Sequence, residues 1–584
     1  MTKKEFINDA LPTSGHTPMY IMHKFFARKQ EDVIREYIQT FSKKGDIVCD
    51  PFCGSGVMIG EAIRLSRKAI GIDINPVSIF ITRNTLKHIS DIERIVEEFN
   101  RVAADVKTDI TELYQTTCRN CGKSVSAICF TWKNRECIDV RYECSQHGRT
   151  ISPVNNEDLQ LQKKIDNGKI AQFFDKIGNC HYWYPIDKLY YDDKRPFLKK
   201  EQYNSVDELF STRNLISLAK LFDRIKRIED LELQELFKFA FTSMTHLASK
   251  MTPVRPSRPF SSAWVQQSYW YCPQHMESNV WYLFERAVLG RQGLIKAKES
   301  IFTDFKDLTE CASFNELVNG KENDHLLIGS SINEVEEIKD NSIDLIITDP
   351  PYGYSIQYGE LLYMWGSWLQ ILDNFPAIAR QEIIVNPRQK KTDVEYERML
   401  TIAFTKIFQW LKPGGYCIIT FHNPNLKYRN ILFRSALLNG FEFEKIVYQP
   451  PPRASAKSLL QPFGSQRGDY FFRFKKPKEK IEISYESIEE SQVEELIVDI
   501  TKKIITERGE PIHYTDIQNV IDPILYEELK KSHLLIDFNP ENIETILRKH
   551  VGKTFKLVDI TMTGIGNQKL QGRGWSLISS KEET

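Results

Sequence analysis

Short apolar runs alternate with amphipathic stretches near both ends of the chain, while the middle follows a different rhythm. Residues 46–50, DIVCD, are an apolar run closed by an acid and followed by PFCGSG. A helix-like stretch, VMIGEAIRLS, comes next, and then a second buried-strand run, KAIGIDI. Strand, glycine loop, helix and strand in that order predict the opening of a doubly wound α/β sheet. From about 91 to 114 the pattern turns helical and charged. Between about 205 and 250, Leu215, Leu218, Ala219, Phe222 and Ile225 recur at helical spacing. The strand pattern resumes near 325 with HLLIG, then IDLIITDPPYGYS, where a strand runs into a Pro-rich turn. A helix (RMLTIAFTKIFQWL), a turn and strand (KPGGYCIITFH) and two late strands (FEFEKIVYQ and DYFFRFKK) follow.

The pattern therefore predicts an α/β fold whose Rossmann-like sheet is split by a long insertion. The expected segments are a first half of the core over 1–90, a helix and Cys-rich ribbon over 91–155, and a helical insertion over 156–310. The second half of the core spans 311–476, a charged linker 477–490, and a last segment 491–584. Helical stretches LIVDITKKIITERG and PENIETILRKHV, with strand-like FKLV and GWSLI, make that last segment resemble a winged helix. It is expected to be a separable module.

Composition narrows the class. A chain of 584 residues is too long for one hydrophobic core. Its 78 basic and 78 acidic residues cancel, which neither advertises nor excludes a nucleic-acid surface, because phosphate contacts need only a local basic face. The N-terminus is polar and no apolar run reaches about 18 residues, so neither a signal peptide nor a membrane span is expected. Eleven cysteines, an odd number, argue against a disulfide framework and for a cytoplasmic protein.

Three clusters carry chemistry. Glycines in Asp50-Pro-Phe-Cys-Gly54-Ser-Gly56 let the backbone approach a ligand at a strand end, where the following helix offers free N–H groups. Asp73, in GIDINP, ends the next strand about 20 residues on, where an acid accepts ribose hydroxyls of a nucleoside ligand. The second cluster is Thr348-Asp349-Pro350-Pro351-Tyr352-Gly353, at the carboxyl end of a buried strand, the edge where open α/β sheets bind ligands. An aromatic amine is a poor nucleophile because its lone pair is delocalised. A carboxylate and a backbone carbonyl accepting its two N–H bonds restore that lone pair, and a tyrosine ring offers a stacking surface for an unstacked base. The third cluster, Cys118-Arg-Asn-Cys121-Gly and Cys144-Ser-Gln-His147-Gly, has the paired spacing of a tetrahedral, structural zinc ribbon. Cys129 and Cys137 are spare, and Cys272-Pro-Gln-His275 has no mate and reads as structural. Arg255, Arg258, Trp264, Tyr269 and Trp270 interleave basic and aromatic groups, either to track a nucleic acid or to fill the core of the insertion.

DPFCGSG, GIDINP and DPPYG together resemble the amino-methyltransferases of DNA that make N6-methyladenine or N4-methylcytosine. MYIMHKFFARKQEDVIREYI resembles that family's N-terminal motif, and LKPGGYCIITFH a late helix–strand motif; the likeness covers roughly 16–90 and 320–476. The resemblance implies S-adenosyl-L-methionine held by His23, Lys24, Phe25, Asp50, Pro51, Phe52, Gly54, Gly56, Asp73, Ile74 and Ser330. Ser330 departs from the acid that relatives often carry there. It implies catalysis by Asp349, Pro350, Pro351 and Tyr352, with Asp349 and the Pro350 carbonyl on the amine and Tyr352 on the base. The expected product is N6-methyladenine in double-stranded DNA whose target base is flipped, and a restriction or phage-defence protein is a candidate partner. N4-cytosine methylation, guanine-N2 methylation of tRNA and a non-catalytic zinc and winged-helix DNA-binding protein are the alternatives. Cytosine C5 chemistry is set aside, because the chain has no Pro-Cys pair for its nucleophile.

Overall fold

The structure is a computed structural model that describes residues 6–168, 173, 181–191, 194–197, 203–264, 268–372, 374–451, 468–479, 485–563 and 569–578. Its centre is a seven-stranded sheet: β1 (Ile47–Asp50), β2 (Lys68–Ile72), β3 (His325–Ile328), β4 (Ile343–Thr348), β5 (Leu411–Phe421), β6 (Glu442–Gln449) and β7 (Asp469–Lys475). The spatial order is β6-β7-β5-β4-β1-β2-β3, so β2 and β3 lie side by side across the insertion. The β1–β2, β2–β3, β1–β4 and β4–β5 pairs are parallel, and β7 runs antiparallel between β5 and β6. This mixed α/β arrangement is the split sheet that the strand pattern predicts. β1 is buried along its whole length, which is why it reads as continuous apolar residues rather than as an alternation.

The Cys-rich segment folds as an antiparallel sheet of Gln115–Thr117, Ser124–Lys133, Glu136–Cys144 and Gly148–Pro153. A fifth strand, Gln274–Ser278, pairs with Ser124–Lys133 in the register Trp132 to His275, tying the ribbon to the far end of the helical insertion. Behind it the helices Glu93–Glu112, Thr212–Lys226, Leu231–Thr245 and Val280–Leu289 pack together. A buried ion pair, Arg213 Nη1 to Glu277 Oε2 at 2.5 Å, joins helix to strand, and the guanidinium lies 4.1 Å from the Phe130 ring centre.

The aromatic stretch in this insertion serves the core. Trp264 and Tyr269 are buried and stack on each other. Trp264 also packs edge-on against Trp365 of the helix Tyr358–Leu369, and Met364 N–H donates to the Tyr269 hydroxyl at 3.1 Å. Trp270 is partly buried against the same core, Arg255 is turned onto Ser261, and Arg258 is exposed.

Residues 485–578 form helices Glu490–Arg508, Tyr514–Lys531 and Ile543–Lys549 with a hairpin, Phe555–Thr563 and Lys569–Leu577, joined by Ile512–His513. They are docked on the sheet rather than tethered to it. Arg429 of the helix Leu426–Leu438 pairs with Asp522 in full burial, Tyr470 of β7 donates to the Gln518 carbonyl at 2.7 Å, and the Phe433 and Tyr526 rings lie 4.3 Å apart. Among the described residues no helix is long and apolar enough to cross a membrane.

Candidate functional site

The turn after β1 is built by its glycines. Gly54 and Gly56 sit at φ +50° and +77°, where a side chain is strained, and a Cβ there would meet Phe25 at 2.8 Å and Thr82 at 2.6 Å. Gly56 opens the helix Val57–Arg64. Asp50 is fully buried beneath this turn: its Oδ1 accepts from Thr348 Oγ1 at 2.5 Å and from Phe52 N–H at 3.1 Å, while its Oδ2 is buried with no partner among the described residues. Burial pushes its carboxyl up to about 7, against the pull of those two donors. Asp73, just beyond β2, accepts Gly54 N–H at 3.0 Å on one oxygen and Asn75 N–H at 2.8 Å on the other. Burial again wins over these donors and raises it to about 6.

Both acids face one cavity, open at its mouth. Phe25, Asp50, Pro51, Phe52, Gly54, Asp73, Ile74, Ser330, Asp349 and Pro351 line it, so the two halves of the chain close a single site. His23, Lys24, Gly56, Pro350 and Tyr352 are not among its walls. His23 lies instead in the core, stacked on Phe239 and bonded to Thr242 at 3.1 Å, and burial drives its imidazole down to about 3.

Asp349 stands on the cavity side of β4 with 15% of its side chain exposed. The Tyr352 hydroxyl donates to both of its oxygens (2.6 and 2.5 Å), and Thr420 Oγ1 donates at 2.7 Å. Tyr352 is buried, with its ring edge-on to Phe421, so the ring expected to be open is packed. Lys29 Nζ, also buried, reaches the Tyr352 hydroxyl at 2.5 Å, Asp469 Oδ1 at 2.9 Å and Asp349 Oδ1 at 3.4 Å. Burial raises the Asp349 carboxyl to about 6; Lys29 opposes this and Asp469 adds to it.

The Cys and His pairs of the ribbon meet in space. The ligand atoms of Cys118, Cys121, Cys144 and His147 all lie within 4.8 Å of one another. The His147 Nδ1 distances to the Cys118 and Cys144 sulfurs are 3.6 Å, and the Cys121 and Cys144 sulfurs are 3.8 Å apart. Cys272 and His275 make only local contacts with backbone carbonyls.

Residues 3–83 match the profile of an N6/N4 DNA methylase family. The Type II methyltransferase M.MjaII of Methanocaldococcus jannaschii is 20% identical over 447 residues, which are 73% of this chain and 76% of that protein. Both matches are to DNA methyltransferases and support the resemblance to the DNA amino-methyltransferase family. Among solved structures it is similar to the antibiotic-resistance methyltransferase Kmr (10% identity, TM-score 0.17, 31% of this chain and 71% of that one). A second is phosphoethanolamine N-methyltransferase 2 of Haemonchus contortus in complex with S-adenosyl-L-methionine (10% identity, TM-score 0.16, 79% of this chain and 100% of that one).

The geometry adds residues that sequence reasoning passed over. Arg28 and Lys29 lie just beyond the expected HKF triplet, after Phe26 and Ala27, and Arg28 lines the cavity while bonding Ser55 at 3.2 Å. Asp469 opens β7. That strand is antiparallel, so its first residue lies at the same sheet edge as the last residues of β4 and β5, where Phe421 pairs with Tyr470. An acid beginning the last strand of an antiparallel insertion was the available signal.

Proposed function

We propose that the chain transfers a methyl group from S-adenosyl-L-methionine to the exocyclic N6 amine of adenine in DNA. One observation supports it above the others: Asp349, at the carboxyl end of β4, opens into the same cavity as Asp50, Asp73 and the glycine turn. The cofactor fits that cavity chemically. Asp50 carries a buried carboxylate oxygen with no donor among the described residues, a position that suits an ammonium or a hydroxyl, and Asp73 retains a lone pair on each oxygen for the ribose. When bound, S-adenosyl-L-methionine supplies an electrophilic methyl group. The protein's part is to hold the amine. Asp349 accepts one N–H and the Pro350 carbonyl the other, which returns the nitrogen lone pair to the reaction. The Tyr352 hydroxyl donates to both Asp349 oxygens, so an arriving amine takes over acceptor positions that the phenol holds. The displaced ring then becomes available to stack on the flipped base.

The Cys118, Cys121, Cys144 and His147 group suits a structural zinc ion. A tetrahedron with Zn–S bonds of about 2.3 Å has edges of about 3.8 Å, close to the sulfur–sulfur spacing present. Four protein ligands leave no open position, so the ion's role is to fold the ribbon.

Adenine is favoured over cytosine by the Asp at the first position of DPPY, which resembles the adenine enzymes. Mass spectrometry of nucleosides from DNA treated with the protein tests the proposal. N6-methyladenine is the expected product and should vanish with Asp349→Ala while cofactor binding persists. N4-methylcytosine overturns the base assignment, and methylated guanine in tRNA overturns the substrate.

A further inference from the structure

Lys29 ties the amine-binding carboxylate to a second acid. Its ammonium is buried, with 3% of the side chain exposed, and it sits between Asp349 Oδ1 at 3.4 Å and Asp469 Oδ1 at 2.9 Å. The three come from the N-terminal segment, the turn after β4 and the start of β7, so only the folded sheet edge assembles them. His422 Nδ1, just beyond β5, braces Asp469 from the other side at 3.2 Å. Tyr352 from its own turn, Tyr358 from the next helix and Asp50 at the end of β1 also lie within electrostatic reach of Asp349, and Arg28, Asp73 and Glu382 line the same cavity.

Such a charge arrangement has a chemical use. When the amine nitrogen gives its lone pair to the methyl carbon, the carbon–sulfur bond breaks and its electron pair stays on sulfur. The nitrogen is left cationic with two hydrogens. One must depart as a proton, leaving the N–H electron pair on nitrogen and a neutral secondary amine. The nearest acceptor is Asp349, which becomes a carboxylic acid and later returns its proton to solvent. For that role it must be ionised when the amine arrives and still basic enough to take the proton. A buried acid without a cation would already be protonated, and an acid that had the ammonium to itself would be held as a poorly basic anion. Asp469 divides the ammonium's charge between two carboxylates.

We propose that Lys29 and Asp469 are positioning residues that set Asp349 as the acceptor of the proton the methylated amine sheds. This rests on the reading of Asp349 as the amine-binding group. The direction of the electrostatics agrees: Lys29 lowers and Asp469 raises the Asp349 carboxyl, while Asp469, under the pull of Lys29 and His422, is held well below its usual range despite its burial.

The test titrates Asp349 directly in the full chain without cofactor or DNA, using protein labelled with carbon-13 at its aspartate carboxyls. The Asp349 signal is assigned by its loss in Asp349→Asn. Asp469→Asn, which is isosteric, should move the Asp349 midpoint down by about one pH unit, as loss of a nearby like charge does. The acid limb of single-turnover methylation on DNA with an unpaired target adenine should shift the same way. Lys29→Gln should move both upward. A midpoint that stays still or rises in Asp469→Asn overturns the inference, whether or not Lys29→Gln folds. Failure of the wild-type protein to methylate adenine would overturn the functional reading and leave the titrations standing as a separate result.

Discussion

Asp50, Asp73 and Asp349 share one electrostatic predicament. Burial raises each carboxyl, to about 7, 6 and 6, so each binds a proton more tightly in the folded chain than in the unfolded one. For such a group the cost to stability is absent below about pH 4, where both states are protonated. It grows as pH climbs and is complete above the folded value. Asp50→Asn should therefore stabilise the ligand-free protein increasingly between pH 5 and 8, by at most on the order of 4 kcal/mol. Thermal melts across that range check it, and a difference independent of pH would mean that Asp50 titrates as an ordinary carboxyl. The acids at the ends of β1, β2 and β4 were legible in the sequence, because an acid that closes a buried strand is conspicuous. Lys29 and Asp469 were not, because nothing local marks a lysine whose partners lie 320 and 440 residues away. Tyr352 was legible as an aromatic, but not as a side chain whose hydroxyl closes on its own neighbour.

The ribbon shows the same division. The two ligand pairs could be read from spacing, and the fold brings them to one point. The strand Gln274–Ser278 that completes the sheet could not, since its pairing with Ser124–Lys133 is long-range. That pairing has a measurable effect. Elemental analysis should find one zinc per chain, and Cys144→Ser should abolish it. Because the ribbon is stitched to the helical insertion by this strand and by the Arg213–Glu277 pair, the damage should spread beyond the ribbon. Amide exchange should accelerate in the helix Thr212–Lys226 as well as in the sheet, while the glycine turn stays protected. Exchange confined to residues 115–153 would show that the ribbon is energetically independent.

At the scale of the assembled chain, the C-terminal residues matter to the core they cover. Arg429 and Asp522 are both fully buried, so removing either partner strands a charge away from water, at a cost of about 3–5 kcal/mol. Asp522→Ala should accordingly lower the midpoint of unfolding for the whole core, and truncation before residue 485 should expose Arg429, Phe433 and Tyr470 and yield an aggregating protein. Coincident unfolding of core and C-terminal probes in wild type would support this. A truncated chain that still binds S-adenosyl-L-methionine with full stability would show the two to be independent. The sequence pattern implied a separable module because helix and hairpin signals describe the segment's interior and say nothing about the face it buries.

The insertion between β2 and β3 also fixes an order of events during synthesis. β1 gains its second neighbour only when β4 has left the ribosome, about 290 residues later. At roughly 5–20 residues per second that is a wait on the order of 15–60 s, with the edge of an apolar strand unpaired. The helices and ribbon of the insertion, rich in nearby contacts, have time to fold within that interval. Their packing then presents β3 and β4 to the waiting pair. The cavity thus cannot form until β4 and the turn after it emerge, and a nascent chain is exposed to chaperones and to aggregation until that second half arrives.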